Sequence, residues 1–85
     1  VEWYRKSAEQ GNPAGQHGVG WCYQHGKGVT QNSLEAALWY KKAADQGFAP
    51  AQSSLGFCLE TGTGFPKDWK LAVNYYIKAA EQGND

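Results

Sequence analysis

The chain repeats itself at a fixed interval of 36 residues, and this periodicity constrains its fold more than any other property of its 85 residues. Trp3 recurs as Trp39, Tyr4 as Tyr40 and Tyr76, Gln10 as Gln46 and Gln82, and Gly11 as Gly47 and Gly83. Inside the unit Gln16 matches Gln52, Gly20 matches Gly56, Cys22 matches Cys58, and Ala36 matches Ala72. Gly26 and Gly28 likewise match Gly62 and Gly64. Self-similarity of this length marks stacked supersecondary units, each of which buries its apolar face only against its neighbours.

Each unit holds two helical stretches separated by glycines. In the first, helix A, Gly15, Val19 and Tyr23 stand four residues apart, as do Ala51, Leu55 and Leu59 one unit later. That spacing puts them on one helical face. Pro13 and Pro50 lie at the start of this stretch, where a missing amide proton is harmless, and Gly26 and Gly62 lie at its end, where a left-handed residue closes the last turn. In the second, helix B, Ala36, Trp39, Tyr40, Ala43 and Ala44 recur as Ala72, Tyr75, Tyr76, Ala79 and Ala80. Asn32 and Asp68 are placed to cap helix B, Glu35 completes a capping box in the first copy, and Gly47 and Gly83 end the helix.

The expected architecture is an all-α solenoid of helix pairs with five helices in one domain. Residues 1–11 form a lone helix B, residues 12–47 and 48–83 are full units, and residues 84–85 begin another. Small residues at Gly20, Gly56, Ala43, Ala44, Ala79 and Ala80 allow close helix approach, and Trp39, Tyr40 and Tyr76 are expected to fill the space between repeats.

Charge removes one class of partner. Eight Lys and Arg balance eight Asp and Glu, so no basic footprint for nucleic acid or an anionic membrane is present. No apolar run approaches the ~20 residues of a membrane helix, and no targeting segment opens the chain. A soluble piece of a longer protein is the expectation. Cys22 and Cys58 occupy equivalent positions, about one helix-packing distance of 8–10 Å apart and beyond disulfide reach, so both are expected to be buried free thiols.

The string running from Trp39 through Gly47, followed by Ala51 to Gly56 and then Gly62-Thr63-Gly64 with Phe65, resembles the Sel-1-like repeat, a branch of the tetratricopeptide-type helical arrays. The resemblance spans essentially the whole chain. It implies a right-handed superhelix (an α/α solenoid) of antiparallel helix pairs and a role as scaffold or adaptor, and it implies no chemistry. Two positions depart from the second copy: Gly15 stands where it has Ala51, and Gly18 adds a further interior glycine. Helix A of the first copy is therefore expected to be the weaker one.

A solenoid of this type leaves a concave surface lined by helix A. If Gly15, Val19 and Tyr23 face the core, His17, Trp21 and Gln24 form the neighbouring stripe, matched by Ser53, Phe57 and Glu60. These six are the candidate contacts for a protein or peptide partner, with Trp21 and Phe57 as anchors because large aromatics dominate interface energetics. The same two rings could instead cover the joint between repeats, since a one-residue rotation interchanges the faces.

Other chemistry finds little support. His17, Cys22 and His25 suggest a metal site, but neither histidine has a counterpart in the second copy, where Ser53 and Thr61 stand, and structural zinc takes four close ligands. The Gly26-Lys27-Gly28 and Gly62-Thr63-Gly64 turns lack the strand and the Lys-Ser/Thr of a phosphate loop. No catalytic set is signalled by spacing. No metal, cofactor or enzymatic activity is expected, and the alternative to a protein scaffold is a carbohydrate-type module using Trp21 and Phe57 as stacking platforms. Apolar end faces without polar capping repeats predict self-association.

Overall fold

The computed structural model describes residues 2–82, and among them five helices and no strand: α1 (Glu2–Glu9), α2 (Pro13–His25), α3 (Ser33–Asp45), α4 (Ala49–Thr61) and α5 (Trp69–Glu81). Consecutive helices pack on one another along the chain, α1 on α2, α2 on α3, α3 on α4 and α4 on α5, with only a light contact between α2 and α4. Helices α2 and α4 are the A helices of successive units, and α1, α3 and α5 are B helices.

Local chemistry sets the boundaries. Gly26 and Gly62 adopt φ of 68° and 75°, and their amides donate to the carbonyls of Cys22 and Cys58, closing the A helices in the left-handed conformation glycine permits. Asn32 and Asp68 accept hydrogen bonds from the amides of Glu35 and Leu71, both at 3.1 Å, and so cap α3 and α5. The expected capping box does not form. Its return bond would need the Asn32 amide, which is already committed to the carbonyl of Tyr23 at 2.9 Å. Gly47 follows α3 with φ of 87°, and Gly83 lies outside the described residues.

The core runs along the seam between units, where Ala36, Ala37, Tyr40, Ala43 and Ala44 of α3 meet Ala51, Leu55, Cys58 and Leu59 of α4. Close approach is set by glycine: a Cβ at Gly20 would stand 2.8 Å from the Tyr40 ring, and one at Gly56 would stand 2.9 Å from the Tyr76 ring. Of the three aromatics expected to be core, Tyr40 is 1% exposed, while Trp39 and Tyr76 are half-buried. Trp39 lies under the Lys42 ammonium at 4.7 Å, and Tyr76 has no following A helix over it among the described residues. Cys22 and Cys58 are free and buried.

The glycines of the first A helix, expected to weaken it, also answer to packing. A Cβ at Gly15 would lie 2.5 Å from the Cβ of Ser7, and one at Gly18 would overlap the ring of Tyr4. Both positions are where α1 crosses α2. The loss of about 0.5–1 kcal/mol in helix propensity is set against an overlap that any side chain would create.

Two buried glutamines join the units. The Gln16 side chain donates to the carbonyl of Ala8 in the preceding B helix and accepts from Gln46 at the end of its own B helix, at 3.5 and 2.7 Å. Gln52 repeats the arrangement with Ala44 and Gln82, at 3.3 and 2.9 Å. Among the described residues no buried side-chain nitrogen or oxygen is left unpaired.

Candidate binding groove

The helix A stripe divides into an open part and an engaged part. Trp21 is 42% exposed and Phe57 is 47% exposed, so neither ring is sealed into the joint between repeats. Ser53 is also open to solvent. Gln24 and Glu60 turn inward to their own B helices, where they accept hydrogen bonds from the hydroxyls of Tyr40 and Tyr76. Burial, reinforced by the Glu60 carboxylate, pushes the Tyr76 hydroxyl up to about 12, and burial raises Tyr40 above the usual tyrosine range too. Both rings are neutral donors across the physiological range.

His17 is the hinge between the two parts. Its Nε2 lies 3.1 Å from the Ser54 hydroxyl of α4, and its ring packs 5.2 Å from Tyr40 and 5.8 Å from Phe48. It therefore spans from the first unit to the second. Desolvation lowers its pKa below the ordinary value of 6.5, leaving a neutral imidazole at pH 7.

Around these side chains is a cavity of about 480 Å³, lined by Tyr4 of α1, by Ala14, His17, Gly18 and Trp21 of α2, and by Phe48 and Pro50 at the start of α4. Gly18 and Ala14 keep its wall low, and Trp21 rises beside them with its ring 4.3 Å from that of His25. No lining residue carries a charge at pH 7. Such a surface suits apolar and aromatic groups.

Sequence spacing placed Trp21 and His17 here, and it missed Tyr4, Phe48 and Pro50. Tyr4 aligns with the buried Tyr40, yet it is 38% exposed because no unit precedes α1 among the described residues. Phe48 carried a signal of its own: it stands where the first copy has Asn12, which caps α2 by accepting from the Ala14 amide, whereas Phe48 makes no cap bond. Phe57 and Ser53 lie further along α4 and do not line this cavity.

A Sel1 repeat model matches residues 1–12, 13–48 and 49–84. The chain belongs to the Sel1 repeat family. Its fold is shared with a Sel1 repeat protein from Oxalobacter formigenes at 44% identity and a TM-score of 0.94, covering 96% of this chain and 63% of that one. A protective antigen present in uropathogenic Escherichia coli strains, displaying an SLR fold, matches at 40% identity and a TM-score of 0.94 over 98% of this chain and 18% of that one. Cysteine rich protein B of Helicobacter pylori matches at 28% identity and a TM-score of 0.93 over 99% and 63%. No curated protein gives a match. This Sel1 array thus spans less than two thirds of each of these solved relatives. Sel1 repeat proteins are generally protein–protein interaction scaffolds and are typically non-enzymatic. Among the described residues no helix is long and apolar enough to cross a membrane.

Proposed function

We propose that this Sel1 array is a non-enzymatic scaffold that holds a protein or peptide segment on its helix A surface, with Trp21 as the principal anchor. The observation that carries the reading is the neutral, aromatic cavity between α1, α2 and the start of α4, onto which a 42% exposed tryptophan opens. Monomeric proteins seldom leave a ring of this size open beside a concave apolar wall unless something covers it. Phe57 extends the same surface along α4, His17 ties α2 to α4 beneath it through Ser54, and Gln24 and Glu60 tie each of these helices to the B helix of its own unit.

The test is binding to a peptide array by the wild-type chain and by Trp21→Ala and Phe57→Ala, each checked for helical circular dichroism. Trp21→Ala is expected to lower affinity by about tenfold or more for peptides that bind the wild type, as truncation of an anchor does, with the helical signal unchanged. Loss of the helical signal would make Trp21 a packing residue and end the proposal. Saturable binding to a glycan array with no peptide bound would assign the rings to sugar stacking instead.

A further inference from the structure

Charge is partitioned between the two kinds of helix. α2 contains no Asp, Glu, Lys or Arg and α4 contains one, Glu60, whereas α1, α3 and α5 carry four, four and three. Glu60 is half-buried and accepts from the Tyr76 hydroxyl at 2.7 Å, which turns it toward its own B helix. The surface beside Trp21, from Ala14 across to Ser53 and Phe57, is therefore built from uncharged residues. Acidic and basic segments are recruited by opposite charge, and this surface supplies no fixed charge of either sign.

What the cavity does supply is hydrogen-bond donors. Of its polar side chains only His17 is hydrogen-bonded among the described residues, to Ser54 at 3.1 Å. The indole N–H of Trp21 and the hydroxyl of Tyr4 remain free to donate. The complementary ligand is apolar, uncharged and provided with open acceptors.

Backbone conformation decides which polypeptide answers that description. An incoming strand pairs with a sheet edge, and the described residues hold no strand. An incoming helix spends its carbonyls on its own amides and needs a continuous apolar trough for anchors on successive turns. Here the path along α4 from Pro50 to Phe57 is interrupted by Ser53 and Ser54, which stand between them on the same face. A polyproline II segment fits on each count. It makes no internal hydrogen bonds, so its carbonyls are open acceptors, and proline has no amide proton to leave unpaired. Its conformation is preformed, so little entropy is lost on docking to an open site. Proline also keeps a segment unfolded without the net charge on which other disordered stretches rely. Aromatic-lined grooves are where such segments dock.

We propose that the cavity bounded by Tyr4, Trp21 and Phe48 docks an uncharged, proline-rich segment in the polyproline II conformation. Its proline rings lie against the aromatic walls, and its carbonyls accept from the Trp21 indole N–H and the Tyr4 hydroxyl. This rests on the scaffold reading of the same surface and names the class of segment held there.

The experiment titrates isotope-labelled protein with two acetylated, amidated nonapeptides, three repeats of Pro-Pro-Gln and three repeats of Leu-Ala-Gln, and separately with tetramethylammonium. A saturable shift of the Trp21 indole N–H signal is expected with the proline peptide, at an affinity about threefold or more above that of the leucine peptide. Trp21→Phe, which keeps a ring and loses the donor, should weaken proline-peptide binding about threefold or more, and Trp21→Ala about tenfold or more. Trp69→Ala, at a tryptophan 60% exposed and outside the cavity, should leave it unchanged. Equal or tighter binding of the leucine peptide at Trp21 would overturn the proline assignment while leaving the scaffold reading intact. Shifts at Trp21 with tetramethylammonium and none with the proline peptide would overturn it in favour of a cation cage. Wild-type affinity in Trp21→Phe would overturn the donor role and with it the proposal. A proline peptide that leaves the Trp21 signal unmoved overturns the assignment outright, and the scaffold reading falls with it only if the peptide array is blank as well.

Discussion

Gln52 is 4% exposed and has both ends of its amide in use, donating to Ala44 in the preceding unit and accepting from Gln82 in its own. Gln52→Ala strands buried partners and opens a cavity, so a loss of about 1–3 kcal/mol is expected, read as a lower urea midpoint. Its recurrence with Gln16 was plain in the sequence, but the partners were not, because a backbone carbonyl leaves no mark on residue type. Gly18 shows the same limit from the other side. Its presence was legible, while its reason, the ring of Tyr4 fourteen residues earlier, lies in a helix crossing that no local pattern encodes. His17 carries a pH dependence. Its folded pKa is depressed below the unfolded 6.5, so the unfolded chain takes up the proton first. The stability it contributes is full above pH 6.5 and is lost as pH falls through the folded value. Denaturation at pH 7 and pH 5 should show a drop in midpoint that shrinks in His17→Ser, the residue found at position 53.

Helix boundaries were the most legible layer, since proline, left-handed glycine and Asx caps act within a few residues of where they stand. Asn32→Ala and Asp68→Ala should each lower stability by about 1 kcal/mol, since each removes a bond to a helix-start amide. Glu35→Ala should change it by less than about 0.5 kcal/mol, because the Asn32 amide is bonded to Tyr23 and no reciprocal box exists to break. Chemical denaturation of the three variants separates a cap from a sequence pattern that only resembles a box. The rotational setting of the A helices was harder to read. Trp21 and Phe57 face outward, as the stripe required, yet Gln24 and Glu60 on the same stripe point to tyrosine hydroxyls of the B helices. A long polar side chain reaches either way from one Cα position, and only the opposing helix decides which.

Across the whole molecule α5 repeats the chemistry of α3 with no following A helix over it among the described residues. Tyr40 at 1% becomes half-buried Tyr76, Ala44 at 4% becomes exposed Ala80, and Ala37 at 0% becomes half-buried Val73. Ile77, 49% exposed, stands where the earlier copy has Lys41. This apolar end is expected to drive association of the isolated chain, seen as a sedimentation coefficient that rises with concentration, and Ile77→Lys should reduce it. A constant monomer value at millimolar concentration would contradict this. The 36-residue interval made the array legible from the sequence, but the exposed surface depends on where units differ, as Phe48 differs from Asn12. The glutamine link then bears on inheritance. Each of the two units carries one glutamine that donates back to a carbonyl of its predecessor and another that donates to the first from within the unit, so any in-frame recombination that copies one period also copies a working junction. Array length can thus drift in evolution without new solutions at the seams, leaving the outward-facing positions free to diverge.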